Sequence, residues 1–165
     1  MPLIRYLNPT QDALRVSPHS KKVIEDAMKK SGVATLTITS TARTVNEQAR
    51  VMYENIERHG VAHQKRLYGP YGDAVIDVYS ALKAKGKPKT DIITAMTAKI
   101  SAVGPNRVSR HAGDPNKLNV IDIAPSSISL PLRKRFEEAL KTDPRVSKLL
   151  TPPADPAYHV EIPQP

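Results

Sequence analysis

The 165-residue sequence contains no cysteine, which rules out disulfide staples, thiolate nucleophiles and cysteine-based zinc fingers. Any metal would have to be held by histidine and carboxylate. Aromatic residues make up only 4% of the chain, too few for the stacking platforms of a single-strand nucleic-acid binder. Glycine-rich phosphate loops are absent, and no G-x-S-x-G context surrounds any serine. No apolar run is long enough to cross a bilayer, and the opening MPLIRYLNPTQ lacks the basic stretch, apolar run and small-residue cleavage site of a secretory signal. Synthesis in the cytoplasm without a signal peptide is the expectation.

What is present is ordinary for a folded domain, with 39% hydrophobic and 25% charged residues alongside 15 prolines. The length suits one domain with a real core, and no repeat or low-complexity segment appears. Lys and Arg exceed Asp and Glu by 25 to 16, a net charge of +9 that implies an anionic partner or setting, an anionic envelope or nucleic acid. The basic residues are dispersed, with short clusters at Lys83 to Lys89 and Arg133 to Arg135, and such runs are usually solvated helix faces.

Ser17-Pro18 reads as an N-cap and first helical residue, with Ile24, Ala27 and Met28 on one face and Gly32 as the stop. Ala34, Leu36 and Ile38 alternate with threonines, the period of a half-buried strand. Thr44 to Glu47 is a capping box opening a second helix to about His59. GPYGD reads as a loop, and Val75, Val78, Tyr79 and Leu82 as a third helix. Thr90 is read as the cap of a fourth, carrying Ile93, Met96, Ile100 and Val103. From Val108 the pattern predicts short β-like runs, clearest at 119–124, then a helix over 131–141 and a last strand over 158–162. The fold class expected is α+β, a small antiparallel sheet packed with helices.

Three residues stand out. Asp122 interrupts the apolar run Val120-Ile121-Asp122-Ile123, and a carboxylate removed from water needs a salt bridge to an arginine, backbone N–H donors or a metal. His159 and Glu161 share one face of the last strand, with Tyr158, Val160 and Ile162 on the other. His111 lies in the turn-rich Ser109 to Pro115. Singly each has an everyday structural reading; together two histidines and a carboxylate are the ligand set of catalytic zinc, one coordination position being left for water. His59 and His63 stand four apart, but Gly60 is expected to end the helix and remove their common face, and His19 is expected to be exposed.

These motifs resemble the zinc D-alanyl-D-alanine carboxypeptidases and dipeptidases and the related phage L-alanyl-D-glutamate endopeptidases. Ile38 to Thr44 followed by Glu47-Gln48-Ala49 is similar to the family's T-S-G-Y-R-T segment. Ser109-x-His111 with Val120 to Ile123 resembles its S-x-H-x-x-G-x-A-x-D, about four residues longer here. Tyr158 to Ile162 resembles its closing W-H-x-E strand.

The resemblance implies a hedgehog/D-Ala-D-Ala-peptidase-like fold, with the small sheet carrying one Zn²⁺ on His111, Asp122 and His159. It implies Arg43 as substrate and oxyanion binder, with Ser109 and Gln48 as further substrate-binding candidates. The family's carboxylate three residues before the last histidine is replaced by Pro156, so the general base falls to Asp155 or, second, Glu161. A single catalytic domain over 1–165 is expected, residues 73–104 being a helical insertion. The implied partner is a peptidoglycan stem peptide in an anionic cell envelope, cut by a monomeric phage endolysin released to the wall through a holin-type pore, with no specific nucleic acid bound. The alternatives are a cytosolic D-Ala-D-Ala dipeptidase and a non-catalytic basic phage structural or nucleic-acid-binding module.

Overall fold

Strand and helix signals alternate along the chain, and the computed structural model, which describes residues 1–165, resolves them into five strands and eight helices. In order these are β1 (Leu3–Tyr6), α1 (Pro9–Arg15), α2 (Pro18–Ser31), β2 (Thr35–Ser40), α3 (Val45–His59), α4 (Val61–Leu67), α5 (Pro70–Ala84), α6 (Lys89–Val103), α7 (Pro105–Val108), β3 (Leu118–Ile123), α8 (Leu130–Lys141), β4 (Lys148–Leu150) and β5 (Tyr158–Pro163). Two compact units result, Met1–Ala42 with Asp114–Pro165, and Arg43–Gly113.

The first unit holds the sheet, in the order β1-β2-β3-β5-β4. The expected antiparallel sheet is corrected to a mixed one, because β1 pairs parallel with β2 while the other pairs are antiparallel. A parallel pair needs a crossover connection, and α1 and α2 supply it. Helix α2 starts where Ser17 Oγ accepts the Ser20 N–H at 3.0 Å. It ends at Gly32, whose φ of 78° lets its N–H turn back to the carbonyls of Met28 and Lys29.

On the apolar side of the sheet, Leu36, Ile38, Ile121, Ile123, Tyr158, Val160 and Ile162 join Ile24 and Met28 of α2 and Phe136 and Leu140 of α8 in one core. Each such side chain fully withdrawn from water contributes about 1.5–3 kcal/mol. The Phe136 and Tyr158 rings lie 5.9 Å apart, and the Tyr158 hydroxyl donates to Glu137 at 2.9 Å, giving its buried end a polar partner.

The second unit is helical, with Met52, Ile56, Val75, Ile76, Ile92, Met96 and Ile100 at its centre. The capping box of α3 is present in both directions, Thr44 with the Glu47 N–H and Glu47 with the Thr44 N–H. GPYGD is not a loop throughout: α5 begins at Pro70, and Gly72 lies inside it because Tyr68 packs where a Cβ would come within 2.5 Å of the tyrosine's own Cβ. Thr90 does not cap α6; Pro88 occupies that position. Of the β-like runs expected from Val108, the clearest, at 119–124, is β3, whereas the stretch before it holds a 3-10 turn over Arg110–Ala112 and no regular strand until Leu118. Helix α4 and the short strands β1 and β4 were outside the sequence expectations. No helix is long and apolar enough to cross a membrane.

Candidate metal centre

Strand geometry places the first two groups. Asp122 of β3 is the cross-strand partner of His159 on β5, and Val120 that of Glu161. Alternation therefore puts Asp122, His159 and Glu161 on the sheet face opposite the apolar core. His159 Nδ1 lies 3.0 Å from Asp122 Oδ1, and His159 Nε2 lies 3.1 Å from Glu161 Oε1. His159 is 7% exposed and Glu161 2%.

Burial alone would push the imidazole pKa down, but hydrogen bonds to the carboxylates of Asp122 and Glu161 outweigh it and raise the pKa above 6.5. In the metal-free centre the His159 ring lies between two carboxylates, one at each nitrogen. The fold gives Asp122 a partner in His159, which was not among the arginine, backbone N–H groups or metal expected from the sequence.

The third group comes from the 3-10 turn that follows α7. Gly104 and Pro105 open α7, and the backbone then passes through extended Ser109 into the turn that carries His111. The His111 carbonyl accepts the Arg43 N–H at 2.7 Å, and its side chain is buried. One ligand atom from each of His111, Asp122 and His159 lies within 4.8 Å of the others, so the three could hold a metal ion.

The chemistry of the set fits such an ion. Zinc at about 2.0–2.1 Å from nitrogen and oxygen ligands in tetrahedral array needs neighbouring donors roughly 3.3 Å apart. The Asp122 to His159 contact of 3.0 Å is close to that spacing. Two imidazoles and one carboxylate also leave a coordination position open.

The other expected site residues are placed as follows. Arg43 Nη1 donates to Gln48 Oε1 at 3.1 Å, and Gln48 Nε2 donates to the Tyr68 hydroxyl at 3.3 Å, with Gln48 fully buried. Tyr68 escaped the sequence reading, since its role depends on α4 bringing it back to the first turn of α3. Burial raises its hydroxyl pKa, and the Arg43 charge works against that rise. Asp155 is half-buried on the segment leading into β5, its Oδ1 accepting the Ala157 N–H at 2.9 Å. Ser109 is half-buried and its backbone carbonyl accepts from Ala112.

Gly60 ends α3 as expected, yet the His59 and His63 rings lie with centroids 5.3 Å apart because α4 starts directly after it. His19 is half-buried rather than exposed. Compared with protein-family models, curated proteins and solved structures, the chain has no match.

Proposed function

We propose that this protein is a zinc peptidase of the D-alanyl-D-alanine carboxypeptidase and L-alanyl-D-glutamate endopeptidase type, hydrolysing a stem peptide of bacterial peptidoglycan. The observation that carries the reading is the convergence of His111, Asp122 and His159, distant in sequence, to within 4.8 Å. The charge of +9 agrees with an anionic wall as the place of action. A phage endolysin is the form of the enzyme that best suits a small basic chain, and release through a membrane pore is its proposed route.

His111, Asp122 and His159 would hold the zinc, which when bound supplies a Lewis acid and a water whose pKa falls toward ~7. Asp155 is assigned as general base, taking the proton of the attacking water and returning it to the leaving amine. Arg43, whose guanidinium is steadied by Gln48, binds the negative charge that develops on the substrate carbonyl oxygen. Loss of one such donor commonly costs ~3 kcal/mol of transition-state stabilisation. Ser109 is a candidate for holding the peptide beside His111, and Gln48 acts on the substrate through Arg43.

Zinc content of the purified protein, together with clearing of purified cell walls with and without chelator, tests the reading. The expected result is about one zinc per chain and clearing that stops on chelation and returns with zinc. Zinc uptake without any clearing would favour the second reading, a non-catalytic module, which Pro156 in place of the family's carboxylate supports. Absence of zinc uptake would remove the enzyme reading altogether.

A further inference from the structure

We infer that Glu161 is a positioning residue for His159, holding its Nε2–H so that Nδ1 is presented to the metal, and is not the proton carrier of the reaction. The inference rests on the metal reading above. The two ring nitrogens of His159 have different neighbours: Nδ1 faces Asp122 Oδ1 at 3.0 Å, and Nε2 faces Glu161 Oε1 at 3.1 Å. Asp122 belongs to the metal-competent group and Glu161 does not. An ion gathered by Asp122 therefore meets Nδ1, and the opposite nitrogen is committed to Glu161. A histidine that binds a metal must be neutral, and which nitrogen is free to bind is decided by the hydrogen bond the other one makes. Carboxylates in that outer position fix the ring's tautomer and orientation.

The surroundings of Glu161 suit this role and oppose that of a base. Its side chain is only 3% exposed. Its backbone is fastened on both sides: it pairs with Val120 of β3 and Lys148 of β4, and its carbonyl accepts the Ser147 N–H at 2.9 Å. A general base has to reach the attacking water and then the leaving group. A carboxylate locked in the middle of the sheet, with one oxygen on Nε2, is built to stay still. Strand spacing also makes it a local device, since Glu161 is two residues from His159 and so emerges on the same face. Glu161 was second choice as base on the sequence alone, and its burial is what moves it to a different role.

The test is chelator-competition zinc titration of the full chain as wild type, Glu161→Gln and Glu161→Ala, with ¹⁵N-imidazole NMR of the zinc-loaded proteins and a thermal melt of each. In wild type the NMR is expected to show His159 with its proton on Nε2 and zinc on Nδ1. Glu161→Ala should weaken zinc binding up to about 100-fold, and Glu161→Gln, which keeps an acceptor oxygen of the same shape, about tenfold. Recovery in the glutamine variant is what a positioning hydrogen bond predicts and mere loss of packing does not. If Glu161→Ala fails to fold, the isosteric variant carries the decision alone. Wild-type binding retained within twofold in the glutamate variants, or zinc found on Nε2, overturns the inference and leaves the metal reading standing. A wild-type protein that takes up no zinc overturns both.

Discussion

The sheet unit and the helical unit bury polar groups in opposite ways. In the sheet unit three ionisable side chains, Asp12, His159 and Glu161, are among the buried residues, whereas the buried polar residues of the helical unit are Gln48, Gln64 and His111. The helical unit carries most of the net positive charge and settles part of it at the surface, pairing Lys65 with Asp77, Lys83 with Glu57 and Lys89 with Glu54. Surface pairs of this kind contribute little to stability. A strand ladder is better suited to matching buried charges, because register sets which side chains face each other and alternation sets which face they share. The register Asp122 with His159 and Val120 with Glu161 places three ionisable groups on one face at hydrogen-bonding distance. In the helical unit the buried Gln48 joins Arg43 to Tyr68, and the buried Gln64 meets His63 Nδ1 at 3.2 Å.

The largest expected effect tests the metal-competent group. His159→Ala, in the sheet unit, and His111→Ala, in the helical unit, should each abolish zinc uptake and wall clearing, read by zinc content after desalting and by turbidity loss of purified walls. Asp155→Ala should keep the zinc and lose the clearing. Full clearing by either histidine variant would break the assignment. Next in size is core truncation. Phe136→Ala beneath the sheet should cost about 3–5 kcal/mol and Met96→Ala in the helical core about 2–5 kcal/mol, read as shifts of the denaturant midpoint. Both side chains are fully buried. A Phe136 variant with an unmoved midpoint would mean that the core under β5 is not what holds the sheet.

A third effect belongs to the sheet unit alone. Because the fold raises the His159 pKa above its ordinary 6.5, the folded metal-free protein holds that proton more tightly than the unfolded chain does. His159 therefore contributes its stabilisation fully below pH 6.5, and the contribution is lost as pH rises through the higher folded value. Metal-free wild type compared with His159→Ala by denaturation from pH 6 to 9 should show the stability difference shrinking as pH rises. Zinc affinity should change in the other direction over that window, because the proton and the ion compete for the imidazole. A difference that grows with pH would contradict the pairing of His159 with the two acids.

Much of this was readable from sequence wherever a signal was local. The α2 boundaries follow from Ser17-Pro18 and Gly32, the start of α3 from Thr44 and Glu47, and the shared face of His159 and Glu161 from alternation on one strand. The metal-competent group was legible only as a combination, since each member alone has a common structural explanation.

What escaped had no local signal. Strand β1 is four residues long and β4 three, and each depends on its neighbour's edge. Helix α5 extends back through Pro70 and Gly72 because Tyr68 needs the space a side chain would fill, a tertiary reason that makes a helical glycine look like a loop. His59 and His63 meet because one helix follows another without a linker, which the helix-stop reading of Gly60 does not anticipate.

The smallest effect separates the units most finely, through two helix caps of similar strength. Ser17 caps α2 in the sheet unit, and its own N–H donates to Asn119 Oδ1 at 2.9 Å. Thr44 caps α3 in the helical unit, directly after Arg43 and four residues before Gln48. Replacing a Ser or Thr cap by alanine typically costs ~1 kcal/mol. Ser17→Ala and Thr44→Ala should therefore lower the denaturant midpoint by comparable amounts. Their consequences for turnover should differ. Fraying the first turn of α3 loosens Gln48 and with it the Arg43 guanidinium, so Thr44→Ala should slow wall clearing at saturating zinc while zinc affinity stays at the wild-type value. Ser17→Ala should leave both unchanged. If instead the two variants clear walls equally well, Arg43 is held by something other than the start of α3, and the Arg43, Gln48 and Tyr68 chain is a structural brace of the helical unit with no part in binding substrate.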